Sequence, residues 1–308
     1  MTLQENQIYE IIGKVESINQ GAHFCNTTVV TKDGEHINLK LEFEQIDALS
    51  MGKIYQFEAL AIIKIEDELI LKCKEITPIE DVLSSDELSQ LLELFYVYAP
   101  VPLSEIKNGV ESFLNRIDNV ILKKVTETIY TEKRNKFYMH PAATKFHHAY
   151  VGGLSYHTLT MLKLIDGFLN VYSFLNKDLL YAATILHDMA KIEEISGVDG
   201  EYTTEGLLIG HLVMETIHID EVARLFHYEQ TEEILMLKHM ILSHHGQLHF
   251  GSPKKPQTGE ALLLWFIDTI DSKFTVLGES LEHTPDGTFT QMINVLDKMR
   301  FYKDKIKK

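Results

Sequence analysis

The apolar residues of this chain change their period once, near residue 80, and that change limits the fold more than any single motif does. Before it, IIGKVESI (11–18), HFCNTTVVT (23–31), HINLKLEF (36–43), KIYQFEALAIIKI (53–65) and DELILKCKEI (67–76) alternate apolar and polar residues, with the turn-forming NQGA, KDG and EDE between them. After it, SSDELSQLLELFYVYA, SEIKNGVESFLNRI and NVILKKVTETIYTE place apolar residues three and four apart, with Ser or Asp ahead of several of these runs as caps.

Five strands, with a short helical piece FEQIDAL (43–49) between the third and fourth, fit a small Greek-key barrel of the OB type. The expected architecture is therefore multidomain α and β: a barrel over 1–80, a helical region over 81–150, and an all-α bundle over 151–308, with TPIEDVLSS (77–85) as the linker. An OB barrel commonly offers one face to oligonucleotides and stacks bases on aromatic rings. Phe24, Phe43, Tyr55 and Phe57 are the rings available, and filling the barrel core competes for each of them.

Charge narrows the partners. The formal net charge of −16 excludes a protein that coats nucleic acid with a broad basic surface, so any such contact must be local. The first 80 residues carry −7, whereas Lys123 to Lys145 holds six basic residues against Glu127 and Glu132. The opening MTLQENQIYEII has no basic stretch followed by an apolar core, and no run of about 18 apolar residues occurs elsewhere, so a cytoplasmic protein without a membrane span is expected. The two cysteines, Cys25 and Cys73, lack zinc-ligand spacing and are expected to be reduced and packed in strands.

Of the 15 histidines, 12 fall between His140 and His249. A lone histidine on a helix is more often surface or satisfied core than ligand, so what matters is which of them can meet a carboxylate. His157 lies in GGLSYHTLTMLKLIDGFL; His187 and Asp188 close DLLYAATILHDMAK; His211 lies in GLLIGHLVMETI; His244 and His245 end EEILMLKHMILSHHG, with Gly246 placed to cap it. Asp268 follows Leu264 and Trp265 on an otherwise apolar helix face, where an unpaired carboxylate is costly and ligation removes the cost. Imidazole and carboxylate together suit Mn, Fe, Zn, Co or Ni, and an aspartate between two ions can bridge them.

The ordered set His157, His187-Asp188, His211, His244-His245 and Asp268, with HDMAK matching an HD-x-x-K pattern, resembles the HD-domain metal-dependent phosphohydrolases. An OB-like module ahead of it, and KFYMHPAATKFHHAYVGGLSYHT before the first histidine, make nearly the whole chain similar to the YhaM-type 3′-to-5′ exoribonucleases of Gram-positive bacteria. That resemblance implies release of nucleotides from the free 3′ end of single-stranded RNA, with single-stranded DNA as a further substrate. It also implies a divalent transition metal, with two ions expected and Mn favoured over Fe, Co, Zn and Ni. His157, His187, Asp188 and Asp268 would surround one ion, and His211, His244 and His245 a second that shares Asp188. Some HD relatives carry a glutamate four residues before the first histidine; here that position is Gly153, so no third ion is expected.

Ions in such a site make a water acidic enough to ionise near neutral pH for in-line attack on phosphorus. Lys191, about one helical turn after Asp188, is the candidate catalytic cation, against the alternative of a solvated lysine at a helix end. Asp271, three residues beyond Asp268, is expected to orient a ligand histidine instead of binding metal. His147, His148, Lys133, Arg134, Lys136 and Lys145, with Lys254 and Lys255 of HFGSPKKPQTGE, are the candidates for holding the strand.

Two other functions compete. One is an HD phosphohydrolase acting on a small nucleotide or cyclic dinucleotide, which would survive deletion of residues 1–80; the other is a non-enzymatic OB module on a degenerate HD scaffold, which would purify without stoichiometric metal. Apolar strips over 85–130 could pack within one chain or between subunits, so the sequence leaves a homo-oligomer open.

Overall fold

The computed structural model describes residues 3–22, 24–63, 69–143, 148–198, 200–247 and 251–306, without the side chains of 85, 86, 89 and 90. The chain divides into two compact units, Met1–Tyr98 with Gly197–Glu201, and Ala99–Ser196 with Tyr202–Lys308.

The first unit is a closed barrel. Strands β1 (Ile8–Gln20), β2 (Cys25–Val30), β3 (His36–Lys40), β4 (Ile54–Ile63) and β5 (Leu69–Pro78) run around it in the order β1-β2-β3-β5-β4. Period-two alternation puts Ile11, Val15, Val29, Leu39, Phe57, Ala59 and Leu71 inside. β1 is long enough to pair with both β2 and β4, and irregular register at Val15/Ser17 and at Glu58/Ala59 helps the sheet curve. The parallel pairing of β3 with β5 completes the closure, with a 3-10 turn at Phe43–Ala48 between β3 and β4. This is the OB-like barrel that the strand pattern predicts.

The four aromatic candidates divide evenly. Tyr55 and Phe57 fill the core, whereas Phe24 and Phe43 are 54% and 46% exposed. Cys25 and Cys73 are both free and buried. The expected linker is not one: Thr77 and Pro78 extend β5 against β4, and Ile79 is a buried anchor in a 3-10 turn. Helix α1 (Ser85–Phe95) follows from a capping box of Ser84 with Glu87, and Tyr96 donates its hydroxyl to the Gly52 carbonyl at 2.5 Å.

The second unit is helical: α2 (Leu103–Asn115), α3 (Val120–Phe137), α4 (Gly153–Leu169), α5 (Lys177–Leu186), α6 (Lys191–Glu194), α7 (Thr204–Leu208), α8 (His211–Leu225), α9 (Glu232–Ser243) and α10 (Gly259–Glu282). A pair of two-residue strands, β6 (Thr288–Phe289) and β7 (Tyr302–Lys303), follows. Side chains of Asn119, Asn176, Thr203 and Thr258 accept backbone N–H groups at the starts of α3, α5, α7 and α10. The polar starts are thus stabilised, mainly by Asn and Thr where the sequence pattern suggested Ser and Asp.

Helix α5 is the axis of this unit. Every residue from Leu179 to Leu186 is buried, so this part of the helix has no solvent side. Ala182 and Ala183 permit close approach, and Leu159, Leu162, Ile219, Leu237, Ile241 and Leu264 pack into the same core. Each such large side chain contributes roughly 1.5–3 kcal/mol when fully buried. The consequence for chemistry is positional: His187 and Asp188 emerge where the most deeply embedded helix ends. Among the described residues no helix is long and apolar enough to cross a membrane.

Candidate metal centre

Five helices bring the polar groups together. His157 sits in the first turns of α4, behind Gly152 at φ +79°, a conformation that favours glycine. His187 caps α5 and Asp188 follows it; His211 begins α8; His244 caps α9 and His245 follows; Asp268 and Asp271 lie on α10. The turn after His245 depends on Gly246, at φ +74°, where a Cβ would overlap the Trp265 indole of α10. That close crossing brings the end of α9 to α10.

Among the described residues the candidate ligand atoms form three sets; hydrogen bonds within His148, His157 and Asp271 close one of them, and the other two are open. In one open set, single atoms of His157, His187 and Asp268 lie within 4.8 Å of one another; in the other, atoms of Asp188, His211, His244 and His245 do. Asp188 stands between them. Its Oδ2 is 3.3 Å from His187 Nε2 and 3.8 Å from His157 Nε2, while its Oδ1 is 3.3 Å from His211 Nε2 and 3.6 Å from His244 Nε2. His157 Nε2 is also 3.3 Å from Asp268 Oδ1.

Hydrogen bonds on the far side of each ring set the direction of the near side. Nδ1 of His187 donates to the Thr184 carbonyl at 2.8 Å, and Nδ1 of His244 to the Ile241 carbonyl at 2.8 Å. Nδ1 of His157 donates to Asp271 Oδ2 at 2.6 Å, and Nδ1 of His211 to Glu194 Oε2 at 2.9 Å. In the neutral imidazoles Nε2 therefore carries a bare lone pair. The Nε2 atoms of His157 and His187 face each other at 3.3 Å, and among the described residues the buried Nε2 atoms of His211 and His244 and Oδ1 of Asp188 have no hydrogen-bond partner. Lone pairs and carboxylate oxygens aimed at one another repel unless a cation lies between them. The donor set fits divalent transition ions, with each histidine anchored through its remote nitrogen as metal-ligating histidines usually are.

Charge leads to the same demand. Four carboxylates, Asp188, Asp268, Asp271 and Glu194, converge with one ammonium, Lys191. Burial opposes the charged form of His157, yet its bonds to Asp268 and Asp271 outweigh burial and push the imidazole up to about 10. Burial also opposes ionisation of Asp188, but the Lys191 charge and His187 hold it well below the usual carboxylate range. Burial, with His244 and His211 alongside, pushes His245 down to about 3, which keeps it a neutral nitrogen donor. Without an ion, protons on His157 and His211 help to meet that demand, so ion binding there is coupled to proton release, whereas burial keeps His244 and His245 neutral.

Lys191 is not the solvated helix-end lysine of the simpler reading. It opens α6, and its Nζ lies 2.8 Å from Asp188 Oδ2 and donates to the Ala142 carbonyl at 3.0 Å. Asp271 accepts from His157 and also contacts His148 Nε2 at 2.9 Å, and His148 Nδ1 is 2.7 Å from the Tyr150 hydroxyl. His148 is consequently 1% exposed and stands behind the site, so it is not at the surface where a phosphate contact was expected. The KFHH context suggested a basic patch, and a hydrogen-bonded chain through a distant aspartate leaves no local trace. Lys133 is likewise buried, bound to Glu193 at 2.7 Å. Arg134, Lys136, Lys254 and Lys255 are exposed, whereas Lys145 and His147 lie outside the described residues. Sequence reasoning missed Glu194 and Tyr150 altogether; Glu194, six residues after Asp188 in HDMAKIEE, offered only its nearness to the motif.

Comparison with known proteins gives a consistent picture. The model of the HD domain family matches residues 154–273. The chain is 36% identical over 234 residues to the 3′-5′ exoribonuclease YhaM of Bacillus subtilis, covering 76% of this chain and 73% of the relative. It is 39% identical over 210 residues to the 3′-5′ exoribonuclease YhaM of Bacillus licheniformis, covering 68% of this chain and 67% of that one.

Proposed function

The chain belongs to the YhaM family of 3′-to-5′ exoribonucleases, and from that premise we propose how its own residues carry out metal-dependent hydrolysis of RNA from the 3′ end. The observation that carries the reading is the placement of Asp188, with one oxygen toward His157 and His187 and the other toward His211 and His244.

His157, His187, Asp188 and Asp268 would hold one divalent ion, and His211, His244, His245 and Asp188 a second. Manganese is favoured for both positions, with Fe, Co, Zn and Ni as the alternatives. When bound, such ions supply a water acidic enough to ionise near neutral pH and neutralise charge on the phosphoryl oxygens. Asp188 and Asp268 fix the positions, and burial keeps competing solvent out. Lys191 stays protonated, because Asp188 outweighs the effect of burial, and its ammonium stabilises charge that develops on the scissile phosphate. Asp271, held by His148, whose other ring nitrogen contacts the Tyr150 hydroxyl, would keep the His157 ring turned toward the ion.

Substrate handling rests on separate groups. Lys136, Lys254 and Lys255 are exposed and contact the phosphate backbone in this reading, and Lys145 and His147 are retained as candidates from the sequence alone. His148 is reassigned to positioning. On the barrel, exposed Phe24 and Phe43 stack bases, while Lys40 supplies local positive charge beside Lys72, whose own ammonium is paired with Glu42 at 2.6 Å. Single-stranded DNA is a second substrate by the same contacts, which do not need the 2′-hydroxyl.

Incubation with single-stranded RNA bearing a free or a blocked 3′ end, across a series of Mn, Fe, Co, Zn and Ni, tests this reading. Mononucleotide release from the free end alone is expected. Equal cleavage of both substrates would identify a general phosphodiesterase instead.

A further inference from the structure

The second histidine set is organised by a carboxylate outside it. Glu194 ends the one-turn helix α6 and contacts His211 twice: Oε1 accepts the His211 backbone N–H at 3.1 Å, and Oε2 accepts the imidazole Nδ1–H at 2.9 Å. One carboxylate thus fixes both the place of the residue and the orientation of its ring. Space has been made for it. A Cβ on Gly206 would run into the Glu194 carbonyl oxygen, and Gly210, at φ +78°, lets the chain turn into α8 directly over the Glu194 carboxylate.

Helix α6 also reaches the other side of the site. Its first residue, Lys191, binds Asp188 Oδ2, and Glu193 is tied to Lys133 at 2.7 Å, with His218 Nδ1 2.8 Å from the same ammonium. Four consecutive residues therefore connect the shared aspartate, one ligand of the second set, and the flanking helices α3 and α8.

We infer that Glu194 is the positioning residue of the second ion: it selects the Nδ1–H tautomer of His211 and so leaves Nε2 bare for the metal. The inference rests on the two-ion reading above and assigns a role that reading does not contain. Its physical basis is a count of acceptors. The carboxylate offers two oxygens to two donors of His211, the backbone N–H and Nδ1–H. Glutamine of nearly the same shape offers one oxygen and one NH2, so in either orientation a donor faces a donor. The strain is relieved by moving the imidazole proton to Nε2, which removes the lone pair, or by breaking the anchor of α8.

The test is titration of the metal-free 308-residue chain with Mn2+ by calorimetry, for wild type, Glu194→Gln and His211→Ala, with thermal melts of each. Wild type is expected to take two ions. Glu194→Gln should take the first as wild type does and bind the second about 10–100-fold more weakly, as loss of a partner behind a ligand typically does, with an unchanged melt. His211→Ala should lose the second ion. Two wild-type binding steps in Glu194→Gln alongside one in His211→Ala would overturn the inference and leave the two-ion reading standing. Two steps in His211→Ala would overturn the reading itself, and loss of both ions in Glu194→Gln would show a general structural role instead. Should Glu194→Gln fail to fold, 15N–1H correlation of the histidine rings in the metal-free wild type, at a pH high enough for the His211 ring to be neutral, decides the matter: its single proton on Nδ1 supports the inference, and on Nε2 contradicts it.

Discussion

Asp271 accepts a hydrogen bond from His157 Nδ1 at 2.6 Å, and the same ring presents Nε2 to Asp268 at 3.3 Å. Two aspartates one helical turn apart on α10 therefore address opposite nitrogens of one histidine, and they do not have equivalent roles. Asp268→Ala is expected to abolish binding of the first ion, whereas Asp271→Asn should weaken it about 10–100-fold and leave it measurable. Mn2+ titration of both variants checks this, and a more severe effect from Asp271→Asn would reverse the assignment.

Among the described residues Lys191 Nζ contacts the buried Asp188 carboxylate and the Ala142 carbonyl. Lys191→Met removes the charge but keeps much of the apolar stem. A fall in kcat of about 100-fold is expected, with KM for RNA changed much less, because the ammonium acts on charge that develops in the transition state. Steady-state kinetics on a labelled oligoribonucleotide separates the two parameters. An effect confined to KM would make Lys191 a strand-binding group.

Phe24 and Phe43 are large rings left outside a core that already holds Tyr55 and Phe57. Replacing both with alanine should weaken binding of long single strands by about 1–3 kcal/mol for each base that loses its stacking partner. Turnover of a short oligonucleotide that cannot reach the barrel should be unchanged, as should the thermal melt. Fluorescence anisotropy with RNAs of two lengths distinguishes this from general destabilisation.

Arg116 donates to both oxygens of Asp166, at 2.9 and 2.8 Å, and Tyr181 donates to the same carboxylate at 2.6 Å. The guanidinium lowers the Asp166 pKa below the ordinary carboxylate value. A depressed folded-state pKa contributes stability that is fully present above the unfolded-state value, about 4, and is lost as pH falls through the folded-state value. Asp166→Asn should therefore cost about 1 kcal/mol at pH 7, a modest figure because the pair is partly exposed, and the difference from wild type should shrink below about pH 4. Thermal melts at pH 7, 5 and 3.5 report it, and a gap that grows in acid would contradict the stated sign.

Most of the architecture was legible because it repeats. Alternation in Cys25–Val30 and in Ile54–Ile63 announces strands with one face inside, and five such strands have few ways to close. The metal-ligand candidates were legible because their order along the chain survives folding. What stands behind them was not. Glu194 and His148 reach the site only through contacts made after the chain has turned back on itself, at 17 and 123 residues of sequence separation from His211 and Asp271. Helix α5 shows the same limit: a stripe of Leu and Ala indicates one buried side, but only the surrounding helices reveal that the polar side is buried as well.

The placement of Asp188 supports its serving two ions at once, one through each carboxylate oxygen. Metal stoichiometry by plasma mass spectrometry, after loading with Mn2+ and gel filtration, tests it on wild type, Asp188→Asn, Asp268→Ala and His211→Ala. Two ions per chain are expected in wild type, one in each of the latter two variants, and none in Asp188→Asn. Retention of one tightly bound ion by Asp188→Asn would show that the aspartate belongs to a single site, and the shared-ligand account would be wrong.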